Sequence, residues 1–387
     1  MTTGLEGKYV IKNNKKLAFG YTTGTCAAAA AKAATLMLFS RQQPEYVDIM
    51  TPKGIPLHLK VEDTRLEEDF ALCAVQKDAG DDPDVTHGAY IYAKVKLGET
   101  GSLADVKLDG GIGVGRVTKP GLEQAVGEAA INKVPRQMIK QEVLQICKEW
   151  NYKGDILVEI SVPQGEELAK RTFNPRLGIM GGISILGTSG IVEPMSEQAL
   201  ISSIQLEMRM QRNNGWEYLL ISPGNYGAAF LEENFKVNRD KILKCSNYVG
   251  ETLDTAVELG YKGLVIAGNI GKFIKVAGGI MNTHSRNSDS RMEILAANAL
   301  KAGADVCVVS EILEALTAEE GIGILKKYNL LEATMKLVME KIYFYMNNRT
   351  YGNLELGIIV FSNEYGELGR IGKIDGLIEK TQCFMEE

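Results

Sequence analysis

Apolar residues along the chain fall into short blocks with two different periods. In the first half the blocks are strand-like. Val47–Met50, Leu57–Val61, Phe70–Val75, Ala89–Leu97 and Ile156–Val162 are short runs rich in apolar, often β-branched or aromatic, side chains. Thr51-Pro52-Lys53-Gly54 separates the first two as a turn, with proline at its second position. Lys77–Asp84 mixes Gly80, Pro83 and several aspartates and reads as a loop. Helices interrupt these strands. One opens at Thr22-Thr23-Gly24-Thr25, where a threonine can cap the backbone, and continues through Cys26 and five alanines, the best helix formers. Another is expected after Pro120.

The period changes after a glycine-dense stretch, Asn174–Gly190. A helix over about Glu197–Arg212, with Ser196 as its cap, puts Leu200, Ile201, Ile204 and Met208 on one face. Short apolar strands follow at Tyr218–Ser222, Gly263–Ala267 and Leu356–Phe361. Helices separate them. Tyr248–Leu259 stops at Gly260; Met292, Leu295, Ala296 and Ala299 keep helical spacing up to Gly303; Thr317-Ala318-Glu319-Glu320 fits a capping box; Leu331–Met346 is long. Strands alternating with helices predict βαβ units. The expected architecture is therefore an N-terminal mixed α+β domain over 1–195 and a C-terminal α/β domain over 196–387, Rossmann-like with a mostly parallel sheet.

Composition supports this without narrowing function far. A chain of 387 residues exceeds the roughly 100–200 of one domain. Its 45% hydrophobic and 24% charged residues are ordinary globular values. A net charge of −6 argues against nucleic acid or an anionic membrane as partner. Cysteines at 26, 73, 147, 245, 307 and 383 form no CxxC pair, so neither a bound metal nor a disulfide is expected, and a reducing cytoplasm fits. Leu17–Phe39 behind Lys12, Lys15 and Lys16 resembles a secretion signal, but it holds Lys32 and glycines and is mostly alanine, which speaks against one. Elsewhere no apolar run reaches the roughly 18 residues of a membrane span.

Polar clusters in the glycine-rich segments carry the candidate chemistry. Leu108–Arg116 looks like a dinucleotide loop, yet Arg116 and Thr118 stand where GxGxxG needs glycine. Its glycines then serve either turns with positive φ or close approach of backbone N–H groups to an anion. Gly268-Asn269-Ile270-Gly271-Lys272 is no Walker A loop, since Phe273 replaces the magnesium-binding hydroxyl. It does follow a strand, as Ser222-Pro223-Gly224-Asn225-Tyr226-Gly227 follows another. Ligands of open α/β sheets sit at such strand ends, so Ser222, Gly224, Asn225, Gly227, Gly268, Asn269 and Gly271 are candidate cofactor contacts, against plain connecting loops. Thr283–Asp289 is the densest polar cluster. His284 there is a candidate acid/base group, with Ser285 and Asp289 to orient it, or else a structural histidine. Asp78, Asp81, Asp82 and Asp84 miss the EF-hand spacing and read as a solvated loop before a metal site.

Several of these segments together resemble one family. Gly20-Tyr21-Thr22-Thr23-Gly24-Thr25-Cys26 with its alanines, Lys77–Asp84 with Val85-Thr86 and Gly88, Asp109-Gly110-Gly111 through Pro120-Gly121, Asn174-Pro175-Arg176 through Pro194-Met195, and Asn282-Thr283-His284-Ser285 resemble the CbiD family. The resemblance spans about Gly20 to Ala302 and implies a methyltransferase of anaerobic cobalamin biosynthesis. S-adenosylmethionine would be the donor, cobalt-precorrin-5B the acceptor at C1 and cobalt-precorrin-6A the product, with cobalt arriving inside the substrate. It also implies a Rossmann-like C-terminal domain. The motif residues Thr22, Thr23, Thr25, Asp78 and Asp81 become candidate substrate contacts. The acceptor's many carboxylates would suit Arg116, Lys119, Arg171, Arg176, Lys272, Lys275 and Arg286, which lie in or beside the glycine-rich loops; of these Arg116, Arg176, Lys272 and Arg286 are the candidate substrate contacts. A nicotinamide-dependent oxidoreductase of the same pathway and a non-catalytic tetrapyrrole carrier stay open as alternatives, and a homo-oligomer is allowed.

Overall fold

A computed structural model describes residues 3–12, 14–101 and 103–383. They divide into two compact units, with the break between Ser196 and Glu197.

The first unit is built on a five-stranded sheet of β1 (Glu62–Leu66), β2 (Phe70–Gln76), β3 (Tyr90–Thr100), β4 (Asp105–Gly110) and β5 (Gly154–Ser161), in the order β1-β2-β3-β5-β4. Its pairs are antiparallel except β5 with β4. Period-two burial in β5 shows one covered face, the pattern of a sheet with helices on one side. Two helices supply the cover: α1 (Thr23–Ser40) against β2 and β3, and α2 (Lys133–Glu149) against α1 and β4. Cys26 and the alanines from Ala27 to Ala34 are all 0% exposed. A helix apolar on every side must be buried on every side, and small side chains let it approach both the sheet and α2. The stretch that mimics a secretion signal is thus this central helix. The helix expected after Pro120 starts only at Lys133. Gly121 and Gly127 take φ of +117° and +92°, which breaks any helix over that interval.

The second unit holds β6 (Tyr218–Ser222), β7 (Leu243–Lys244), β8 (Gly263–Asn269), β9 (Glu355–Ser362) and β10 (Gly366–Gly372) in the order β7-β6-β8-β9-β10. The first four are mutually parallel, and β10 returns antiparallel to β9. Side chains alternate across this sheet. Leu219, Ile221, Leu264, Ile266, Ile358 and Val360 enter one core, shared with helices Glu197–Asn213, Val249–Glu258 and Leu331–Arg349. Leu220, Val265, Ala267 and Ile359 enter another, shared with Asn225–Phe235 and Ile374–Cys383. Leu200 departs from its expected face and is 50% exposed, while Ile204 and Met208 are buried. Among the described residues no helix is long and apolar enough to cross a membrane.

Candidate active site

The carboxyl edge of the parallel strands gathers most of the unit's polar loops. The chain leaving β6 enters α3 (Asn225–Phe235), whose Ala228 and Leu231 pack on one face of the sheet. The chain leaving β8 enters α4 (Ile270–Val276), whose Ile270, Phe273 and Ile274 pack on the other. Adjacent strands whose connections depart to opposite faces leave a crevice between them, the usual ligand position in open α/β sheets.

The expected contacts divide along this crevice. Ser222 Oγ accepts from Gly224 N–H at 3.2 Å and is itself within 2.6 Å of Gly224 O, so it shapes the turn. Gly224 is extended, at φ −171°, and a Cβ placed there meets no atom within 4 Å. The backbone is thus open to an incoming group. Asn225 and Gly227 belong to the first turn of α3, not to a loop. Asn225 Oδ1 accepts from Lys244 Nζ at 2.8 Å, and a Cβ on Gly227 would lie 2.4 Å from Ser222 Oγ. Gly268 lies within the strand, not in a loop after it. β8 runs to Asn269, and a Cβ on Gly268 would sit 2.0 Å from the buried Phe273 ring. Its missing side chain makes room for that ring. Asn269 caps α4 by accepting from Gly271 N–H at 2.9 Å, which leaves its Nδ2 buried without a partner. Lys272 is half-buried and has no polar partner among the described residues; burial lowers its pKa, partly offset by the nearby Cys245 thiol. Cys245 N–H in turn donates to Ser222 O at 3.0 Å, linking the ends of β6 and β7.

The His284 loop is tied to the same edge through Asn247, three residues past β7. Thr283 N–H donates to Asn247 O at 2.9 Å, and Tyr248 bridges to Asn282. Lys275, expected as a carboxylate contact, is 2% exposed and donates to Thr283 O at 3.1 Å, so it positions this loop. Burial pushes its pKa down. The orienting trio does not form. Asp289 is held by Arg291 at 2.5 and 2.9 Å, a pair that lowers the carboxyl's pKa. His284 Nδ1 accepts from Arg286 N–H at 3.1 Å, which puts the proton of the neutral ring on the exposed side, at Nε2. Ser285 and Arg286 are exposed, with no side-chain partner among the described residues. Asn247 and Lys244 carried no sequence signal, since neither sits in a motif.

The motifs of the first unit are occupied with one another. Thr22 caps α1 by accepting from Thr25 N–H at 3.2 Å; Thr25 Oγ1 donates to Gly190 O at 2.7 Å; Thr23 Oγ1 accepts from Leu186 N–H at 3.0 Å. Asp78 accepts from Gly80 N–H at 2.8 Å and Asp81 from Ala18 N–H at 2.6 Å. Asp82 accepts from Met195 N–H at 2.8 Å, and Asp84 from Lys77 Nζ at 2.6 Å and Thr86. Gly20 and Gly80 fit this knot because a Cβ on either would strike the other's strand or loop at 2.2 Å. Arg116 is also spent. It grips Asp109 at 2.6 and 2.9 Å and donates to Gly110 O. These six expected substrate contacts thus all carry hydrogen bonds within this unit, while Asp78 and Asp81 stay exposed. Arg176 stays exposed, in a loop closed by Ile179 N–H donating to Asn174 O at 2.9 Å.

Sequence profiles described as "CbiD" and "CbiD, C-terminal domain" match residues 10–194 and 282–372. The chain belongs to the CbiD family. It is 48% identical to the cobalt-precorrin-5B C(1)-methyltransferase of Ruminiclostridium cellulolyticum, with 93% of each chain covered. It is 45% identical to the protein of that name from Alkaliphilus metalliredigens, covering 96% of this chain and 97% of the relative. The crystal structure titled cobalamin biosynthesis protein (cbiD) from Archaeoglobus fulgidus shares 30% identity, with a TM-score of 0.39 over 73% of this chain and 86% of that one.

Proposed function

We propose that this chain transfers a methyl group from S-adenosylmethionine to C1 of cobalt-precorrin-5B, giving cobalt-precorrin-6A in cobalamin biosynthesis. The observation that carries the reading is 48% identity, over 93% of both chains, to an enzyme named for that reaction. An oxidoreductase or a passive carrier has no comparable support. In the same proposal the two units are separate domains, and the second is the Rossmann-like donor-binding one.

The residues at the crevice fit such a donor. Gly224 offers unobstructed backbone, and Asn269 Nδ2 is a buried donor in need of an acceptor. When bound, the donor supplies an electrophilic methyl on a sulfonium; an electron pair of the ring carbon forms the new C–C bond as the S–C bond breaks. No nucleophilic side chain is required. The protein's task is to align methyl and carbon at about 3–3.5 Å. Lys275 and Asn247 hold the loop that presents His284; the ring gains one positive charge with the methyl cation, and neutral His284 accepts the proton whose loss cancels it. Arg286 is an exposed cation for the ring's carboxylates.

The test is anaerobic incubation of the purified protein with S-adenosylmethionine and cobalt-precorrin-5B. S-adenosylhomocysteine and a singly methylated ring should form in equal amounts. Absence of both, or turnover that needs NADH, would refute the reading.

A further inference from the structure

We infer that Lys272 is the anchor for the carboxylate of the methyl donor's amino-acid arm, with Asn269 Nδ2 as its second hydrogen-bond donor. This rests on the donor-crevice reading and assigns Lys272 to the donor instead of the ring substrate. Of the cations near this edge, Arg286 is exposed to water and three others are engaged. Lys244 donates to Asn225, Lys275 to Thr283 O and Arg291 to Asp289. Lys272 alone among these is half-buried with no polar partner among the described residues. Taking an ammonium partly out of water is costly unless something pairs with it. One turn away Asn269 keeps its Oδ1 on Gly271 N–H and leaves Nδ2 buried and unmet.

Two unmet donors, one of them charged, suit an acceptor with two oxygens that is itself an anion. A carboxylate is such a group. Within the donor molecule only the amino-acid arm carries one. The ring substrate's acid side chains are the other source of the same chemistry. Position favours the donor, because both residues close the β8 side of the crevice whose β6 side is the open backbone at Gly224.

Titration calorimetry of the full-length protein with S-adenosylhomocysteine and with 5′-methylthioadenosine separates the sources, since the second ligand lacks only the amino-acid arm. Wild type should bind S-adenosylhomocysteine more tightly. Lys272→Met should weaken that ligand at least about tenfold and leave methylthioadenosine unchanged. Asn269→Asp keeps the cap on Gly271 but exchanges the donor for an anion, and should do the same. Lys272→Arg should retain binding, and melting temperatures establish that each variant is folded. If Lys272→Met does not fold, Asn269→Asp carries the test. Wild-type S-adenosylhomocysteine affinity in both variants, or a raised KM for the ring substrate alone, overturns the assignment. Equal wild-type affinity for the two ligands also overturns it while sparing the crevice. A wild type that binds neither overturns the crevice reading itself.

Discussion

Lys77→Met tests whether the acidic motif is a structural clasp or a substrate site. Lys77 is 2% exposed and its ammonium lies 2.6 Å from Asp84, whose side chain is 27% exposed. Burial alone would raise the Asp84 carboxyl, but the Lys77 charge and hydrogen bonds from Lys77 and Thr86 bring it below its ordinary value. Removing one partner of a buried pair typically costs ~3–5 kcal/mol, and the water still reaching Asp84 puts this pair near ~3. At ~2–4 °C per kcal/mol for a unit of this size, the first unit should melt ~6–12 °C lower. The sign with pH follows from the depressed pKa. The pair's contribution is complete above the unfolded-state value of about 3.9 and is lost as pH falls through the lower folded value. The melting difference between wild type and variant should therefore be constant from neutrality to about pH 5 and shrink below about pH 4. Circular dichroism melts across pH measure it, and Lys77→Met/Asp84→Leu should recover part of the loss because no charge is stranded. Unchanged melting with a raised KM for the ring would refute the clasp and restore the motif to the substrate site.

Three further outcomes follow from the crevice and its surroundings. Gly268→Ala places a Cβ 2.0 Å from a Phe273 ring atom and should cost at least ~1–3 kcal/mol, seen as a lower melting temperature of the second unit; a neutral result would mean the ring has somewhere to move. Gly224→Val is different: the backbone is extended and the Cβ meets nothing, so the fold should survive while the Kd of S-adenosylhomocysteine rises at least about tenfold. Wild-type affinity in that variant would remove the turn from the site. His284→Asn should keep the melting temperature and donor affinity and lower single-turnover methylation at least roughly tenfold, the low side of acid/base contributions; normal turnover would leave the loop a positioning role alone.

The strands and helices were legible wherever burial follows a simple period. Val47–Met50, Phe70–Val75 and Tyr218–Ser222 stand within a residue of where their alternation or apolar runs put them. Alanine runs and glycine runs were harder to place. The α1 segment has no polar face, so its pattern did not show which side meets the sheet; it packs against β2, β3 and α2. Gly268 and Asn269 read as loop because glycine ends strands, yet here the strand continues so that Phe273 can lie across the glycine.

Chemistry was less legible than fold, and charge pairing is the reason. Sequence lists charged residues near glycines, but whether one is available depends on partners brought up by folding. Arg116 reaches back across a short loop to Asp109, and Asp289 forward to Arg291, so an expected cation and an expected orienting acid are both consumed locally. Asp78 and Asp81 stay exposed yet accept from backbone N–H groups, Asp78 locally from Gly80 and Asp81 from Ala18, 63 residues away, a partner no pattern marks. Lys272 and Lys275 show the other side of the same rule. They are three residues apart on one short helix and looked equivalent in sequence. One donates to Thr283 O and holds a loop; the other lies near the Cys245 thiol with no polar partner among the described residues. A lysine is informative about ligands only after its neighbours have been counted, and at this edge, among the described residues, Lys272 and the amide of Asn269 are donors drawn at least partly out of water and still to be met.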